Sequence, residues 1–222
     1  MPTLVFLLDV DNTLINNDQV KDDFNAHLEV ELGPKLTERF WDIYEQARKV
    51  RGVVDIPLSL RRLREETPLS ELDEQTFHHV QSIFDNYPFF NALYPHTLET
   101  LRHLRTMGLT VIVSDGDQLF QPEKIFRSDL AETVEGRVLI YTHKQQHLEE
   151  ILQKYPADHY VMIDDKPDIL VDSKAIMGKR LTTVFVKQGH YAKQVPDNFT
   201  PDISVLHIGD LRNYTKEQFL KS

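Results

Sequence analysis

The chain has 222 residues, 41% of them hydrophobic and 27% charged, which fits one large globular domain or a core carrying an insert. Its net charge of −10 argues against non-specific nucleic-acid binding, which relies on neutralising phosphates, and no apolar run reaches the roughly twenty residues needed to span a bilayer. Cysteine is absent, which excludes disulfides and thiolate metal sites.

No basic n-region or cleavage signal precedes the first apolar run, so a cytoplasmic location is expected. That run, Leu4 to Leu8, has strand length and leads into Asp9-Val10-Asp11-Asn12-Thr13. Positions 9 and 11 of an extended backbone point to the same side. Asp9 and Asp11 would therefore project together from the carboxyl end of a buried strand, where open α/β sheets bind ligands. Two like charges so close are relieved by a hard divalent cation between them, or by a proton held for acid–base work. The plainer alternative is a turn followed by a helix cap.

From about residue 17 to 92 the pattern is helical, with no convincing strand. Phe24, Leu28 and Leu32 recur at helical spacing, as do Phe40, Ile43, Tyr44 and Ala47, then Leu58, Leu60 and Leu63, then Phe77, Val80, Ile83 and Phe84. A block this long after the first strand exceeds a simple crossover and reads as a cap domain over 17–92, with the core in 1–16 and 93–222. Hinges are expected near Ile15–Asp18 and Tyr87–Pro95. Phe40, Trp41 and Tyr44 read as cap core. Arg48, Lys49, Arg51, Arg61, Arg62 and Arg64 read as a solvated face paired with Glu45, Glu65 and Glu66, with one or two left to face a substrate.

Four more strand-like runs follow: Leu109 to Val113, Val138 to Tyr141, Tyr160 to Ile163 and Thr182 to Val186. Helical segments fall near 95–107, 121–127, 145–154 and 167–177. A weaker run, Ile203 to Ile208, precedes a short helix near 215–221. Alternating apolar strands and helices imply a parallel sheet covered on both faces.

Three of these strands end in polar residues that suit chemistry. After the second come Ser114, Asp115 and Gly116: a hydroxyl to donate to an oxyanion, and a glycine that lets backbone N–H groups approach. After the third, Lys144 stands at a helix start, where the helix dipole disfavours a cation. The fourth ends in Asp164-Asp165-Lys166-Pro167-Asp168, more acid than a cap needs. Asp115 and Asp117 are unusually acidic beside Ser114; both are expected to face solvent, with the alternative that they disfavour highly charged substrates. His143 and His147 are spaced for a zinc pair but lack an evident third ligand. The loop Lys187 to Tyr191 lies at the same sheet edge, placed to reach either the acidic end or the cap.

In order and spacing these motifs resemble the haloacid dehalogenase (HAD) superfamily over essentially the whole chain. Asp9-Val10-Asp11-Asn12-Thr13 matches its first motif, Ser114 its second, Lys144 its third, and Asp164-Asp165 its fourth in paired-acid form. The helical block after the first motif matches the C1-type cap. The resemblance implies a Rossmann-like parallel sheet of order 5-4-1-2-3. It implies Asp9 as nucleophile forming an aspartyl-phosphate, Asp11 as general acid and base, and Thr13 as a brace. Ser114 and Lys144, with Asp115 and Gly116 beside them, would hold the phosphate.

Mg²⁺ would be held by the Asp9 carboxylate, the Asp11 carbonyl and the acids of the fourth motif. Asp165 is the favoured direct ligand, Asp164 its partner, and Asp168 a poorer third. The activity so implied is an Mg²⁺-dependent phosphatase of a small phosphorylated metabolite, with no nucleic-acid or membrane partner. Asp11 favours phosphoryl transfer, because dehalogenases of the superfamily lack that second acid. The alternatives are a phosphomutase or a catalytically idle HAD-like binding module. A phosphonatase would need a cap lysine as Schiff base, for which Lys21, Lys35 and Lys49 are the cap candidates.

Overall fold

A run of apolar residues with no polar face belongs in the middle of a sheet covered on both sides. Leu4–Leu8 (β1), His159–Asp164 (β4) and Leu181–Val186 (β5) are buried at every position. Leu109–Asp115 (β2) and Val138–Tyr141 (β3) complete the expected five. The short Ile203–Val205 (β6) adds a sixth strand from the weaker run. The computed structural model describes residues 3–220; positions 1–2 and 221–222 of the expected core segments, and with them position 221 of the expected last helix, lie outside the described residues.

All neighbouring strands are parallel, in the order β3-β2-β1-β4-β5-β6. This is the expected 5-4-1-2-3 arrangement with one strand added beside β5. The chain reverses its direction of winding at β1, so the carboxyl ends of β2, β1 and β4 meet at the switch point.

Alternation along β1 sorts its side chains between two layers. Leu4, Phe6 and Leu8 join one buried cluster with Leu101, Leu104, Ile125, Leu130 and Phe219. These come from α4 (Thr97–Arg105), α5 (Phe120–Arg127), α6 (Leu130–Thr133) and α9 (Lys216–Leu220). Val5 and Leu7 face the other cluster, with Leu148 and Ile151 of α7 (Leu148–Lys154) and Leu170 of α8 (Pro167–Met177).

Residues 17–92 carry three α-helices and no strand: α1 (Asn17–Arg51), α2 (Ile56–Glu66) and α3 (Glu74–Asp85). Each begins at a side-chain cap, from Asn16, Asp55 and Asp73 respectively. α1 is not one rod. Gly33 breaks it with φ 69° and ψ 170°, a conformation suited to glycine, and Pro34 starts the second half. Trp41 Nε1 donates to Asn25 Oδ1 at 2.8 Å across this break. In a straight helix those residues would stand about 24 Å apart at ~1.5 Å per residue. The two halves therefore fold back on each other as a hairpin. Among the described residues, no helix is long and apolar enough to cross a membrane.

Candidate active site

The loop after β1 is wound around one carbonyl: Val10 O accepts from the N–H groups of Thr13, Leu14 and Ile15. Asn12 takes φ 62°, a left-handed conformation that asparagine tolerates better than most residues. This winding turns Thr13 Oγ1 back to donate to Asp9 Oδ2 at 3.1 Å. Asp9 and Thr13 are both buried.

Lys144 reaches the same carboxylate from the 3-10 turn Lys144–His147, which follows β3. Its ammonium donates to Asp9 Oδ1, lies 2.7 Å from Asp164 Oδ2, and donates to Val113 O at 3.3 Å. Burial alone would lower the pKa of Lys144. The Asp164 and Asp9 carboxylates outweigh it and hold the ammonium well above its ordinary value. The unfavourable placement of a cation at a helix start is thus offset by two buried carboxylates.

Asp9, Asp164 and Asp165 offer carboxylate oxygens within 4.8 Å of one another, and all three are buried. Asp164 is partly satisfied, by Lys144 and by the Lys166 N–H at 2.9 Å. Asp165 has no hydrogen bond to either oxygen. Burial, then repulsion from Asp9 and Asp164, pushes its carboxyl pKa up, and burial likewise raises Asp164. A buried carboxylate without donors is costly unless a cation meets it. The cluster therefore fits a hard divalent ion with oxygen ligands. Asp168 is exposed at the start of α8 and is not in this group.

Asp11 turns elsewhere. Its Oδ1 pairs with Lys124 Nζ at 2.8 Å, and the same ammonium donates to Asn17 Oδ1 at 3.0 Å. Ser114 is buried; its Oγ accepts from Gln121 Nε2 at 2.9 Å and donates a long bond to Asp115 O at 3.4 Å, one that a better acceptor in the site could replace. Lys124 and Gln121 were not expected from sequence. Their one signal is two polar residues three apart on the short α5, both facing inward.

Two expected phosphate contacts are otherwise engaged. Gly116 N–H donates to Tyr141 O at 2.9 Å, so it does not present a free donor. A Cβ there would lie 2.7 Å from Gln121 Cβ, so any larger residue must displace Gln121. Asp115 Oδ1 accepts the Lys144 N–H at 2.7 Å and fixes the turn that carries the lysine. Asp117, like Asp115 expected to face solvent, is half-buried and caps the backbone N–H groups of Leu119 and Phe120. Lys166, unremarked in sequence, is held above its ordinary pKa: burial would lower it, but Asp9 and Asp164 prevail.

A cavity of about 280 Å³ opens between these strand ends and the helical block. Asp11, Lys124 and Lys166 line its floor, while Lys21, Tyr44 and Arg48 of α1 line its roof. Phe40 and Tyr44 are core, as expected, and half-buried Trp41 packs against them; Trp41 and Tyr44 also line the cavity. Of the basic cluster, Arg48 alone lines it. Arg51, Arg62 and Arg64 pair with Asp55, Glu66 and Glu74.

The loop Lys187 to Tyr191 reaches the start of α1. His190 Nδ1 lies 2.7 Å from Asp18 Oδ1, and Gln188 bridges Thr13 O and the Ile208 N–H. His143 and His147 do not converge on a metal: His147 stacks on Tyr141, while His143 lies against Gly52.

The profile of the haloacid dehalogenase-like hydrolases matches residues 3–169. A haloacid dehalogenase-like hydrolase of Burkholderia xenovorans shares 44% identity, covering 97% of this chain and 98% of its own, with a TM-score of 0.88. Two more distant structures share the fold. The L-2-haloacid dehalogenase of Xanthobacter autotrophicus has 13% identity over 94% of this chain and 96% of its own, with a TM-score of 0.62. The magnesium-bound HAD hydrolase YfnB of Bacillus subtilis has 12% identity over the full length of both chains, with a TM-score of 0.62. No curated protein matches the sequence.

Proposed function

The chain belongs to the haloacid dehalogenase-like hydrolases, and on that premise we propose that it is an Mg²⁺-dependent phosphatase of a small phosphorylated metabolite. The observation that carries this reading is the pairing of two acids with different surroundings at one strand end. Asp9 is buried and held by Thr13 and Lys144, whereas Asp11 lines the cavity. The first is placed as a nucleophile and the second as a proton carrier.

In this reading an Asp9 carboxylate oxygen attacks phosphorus, and the bond from phosphorus to the ester oxygen breaks. Asp11 gives a proton to the leaving oxygen. It then takes one from the water that attacks the aspartyl-phosphate, which frees phosphate and restores Asp9. Lys124 Nζ pairs with Asp11 Oδ1 at 2.8 Å, so Asp11 turns to the leaving oxygen only as that pair loosens. An incoming phosphate, which competes for the Lys124 ammonium, would loosen it. Ser114 and Lys144 would donate to the phosphate oxygens where negative charge builds. Asp9, Asp164 and Asp165 would hold Mg²⁺, which supplies charge neutralisation at the phosphate.

Dehalogenation, the activity named for the Xanthobacter neighbour, expels a halide that needs no proton and leaves Asp11 without a task. A phosphomutase would use the same residues but return the phosphoryl group to substrate. The test is phosphate release from p-nitrophenyl phosphate with Mg²⁺ supplied and no bisphosphate activator. Wild type should turn over, while Asp9→Asn, nearly isosteric but unable to attack, should lose at least about 10³-fold in kcat. Turnover that survives in Asp9→Asn would remove Asp9 from the chemistry.

A further inference from the structure

Every cation on the floor of the cavity has carboxylate company. Lys124 pairs with Asp11, Lys144 with Asp9 and Asp164, and Lys166 is held charged by Asp9 and Asp164. The roof is different. Lys21 lies on the first half of the α1 hairpin and Arg48 on the second, and both line the cavity. Among the described residues, Lys21 has no carboxylate within ion-pairing distance. Its recorded contact is the Tyr44 ring, 5.3 Å from Nζ to the centroid. Arg48 reaches only Glu45, at 3.5 Å, and its side chain is 44% exposed.

Burial and the neighbouring Arg48 cation lower the pKa of Lys21, and the attraction of Glu45, Asp11 and Asp18 does not make up the difference. Two cations brought together repel each other, and Glu45 beside Arg48 offsets this only in part. The hairpin at Gly33 brings them together, since residues 21 and 48 would be far apart on an unbroken helix. Beside them lie apolar rings: Tyr44 and Trp41 on the roof, Phe24 and Phe120 on the walls.

We propose that Lys21 and Arg48 form a second anion subsite on the roof of the cavity, which takes a carboxylate or phosphate at the end of the substrate remote from Asp9. The inference rests on the phosphatase reading for the group at the Asp9 end, and it deepens that reading by naming the substrate class. The substrate is a small phosphorylated acid or bisphosphate whose middle packs on the rings. The volume of about 280 Å³ is at the lower edge of the ~300–1,000 Å³ usual for ligand pockets, so one short molecule spans floor and roof. Phosphate and carboxylate share the chemistry that two nitrogen cations recognise.

Trp41 is the single tryptophan of the chain and lines the cavity, so its fluorescence reports occupancy without turnover. The full-length Asp9→Asn protein with Mg²⁺ is titrated with 3-phosphoglycerate, glycerol 3-phosphate and 1,3-propanediol bisphosphate. Calorimetry of the same titrations keeps the answer independent of the response of Trp41. The first and third ligands carry a remote anion; the second matches the first but ends in an alcohol.

We expect one or both of the doubly anionic ligands to bind at least about tenfold tighter than glycerol 3-phosphate, the factor expected of one or two charge-assisted hydrogen bonds. Which of the two binds tighter separates carboxylate from phosphate. The advantage should collapse in Lys21→Gln and Arg48→Gln and partly return in Arg48→Lys. Equal affinity for all three ligands, or an advantage that survives both glutamine variants, would overturn the subsite. A wild type that releases phosphate from no ester would instead defeat the phosphatase reading. The subsite would then be judged by titration with propionate, whose binding should weaken in both glutamine variants and whose indifference to them would overturn it.

Discussion

Asp165 is buried with neither oxygen hydrogen-bonded, beside two other buried carboxylates. Such a group destabilises a fold by roughly 1–3 kcal/mol or more. Asp165→Asn should therefore raise the thermal midpoint of protein stripped with EDTA, and should abolish the rise that Mg²⁺ gives to wild type. Asp168→Asn, at an exposed position, should do neither. A lower midpoint for metal-free Asp165→Asn would show that the carboxylate has a stabilising partner. Gly116 offers a second test at this scale. A Cβ there would push against Gln121, which orients the Ser114 hydroxyl. Gly116→Ala should fold and lose about 10- to 100-fold in kcat, on the order of one catalytic hydrogen bond. Unchanged kcat would mean Gln121 does not position Ser114. The acids, Ser114 and Lys144 were legible because each ends a strand. Lys124 and Gln121 were not, because a short helix does not announce which of its polar residues face inward.

Among the elements, the strands were legible because continuous apolar runs have few alternatives in a covered sheet. β6 was weaker in sequence because it is short and half-exposed, and it depends on an anchor outside the strand. Asp202 is that anchor: its Oδ2 accepts from Thr183 N–H at 2.8 Å, Thr183 Oγ1 at 2.9 Å and Lys174 Nζ at 2.8 Å. Burial would raise its pKa, but these donors outweigh it and hold it below the ordinary carboxylate value. An acid with a depressed folded pKa stabilises above its unfolded pKa and loses that contribution as pH falls through the folded value. Asp202→Asn should cost about 1 kcal/mol at neutral pH, reduced by partial exposure, and the gap should close below about pH 4. A gap that persists at low pH would assign the loss to packing. The α1 hairpin was only half legible. Helical spacing located both halves, and Gly33-Pro34 is a turn signal, yet the closure that brings residues 25 and 41 together is tertiary.

Across the whole molecule, one buried cluster runs from the sheet through α4 and α5 into the helical block, including Phe24, Leu28, Phe40 and Phe84. The block and the sheet thus share buried contacts beside the cavity. The loop at His190 adds a polar tie to Asp18, where α1 begins. The central claim is that Asp9 attacks phosphorus and that water then attacks the phosphoryl group. This is tested most directly by running wild type with Mg²⁺ in heavy-oxygen water, separately with p-nitrophenyl phosphate and with 2-chloropropionate, over many turnovers. Mass spectrometry then reads the released phosphate and the peptide that carries Asp9. The account predicts one heavy oxygen in each phosphate released and none in Asp9, because water attacks phosphorus and leaves the carboxylate oxygens in place. Heavy oxygen in Asp9 with 2-chloropropionate, together with no phosphate release, would contradict it and assign the chain to attack on carbon.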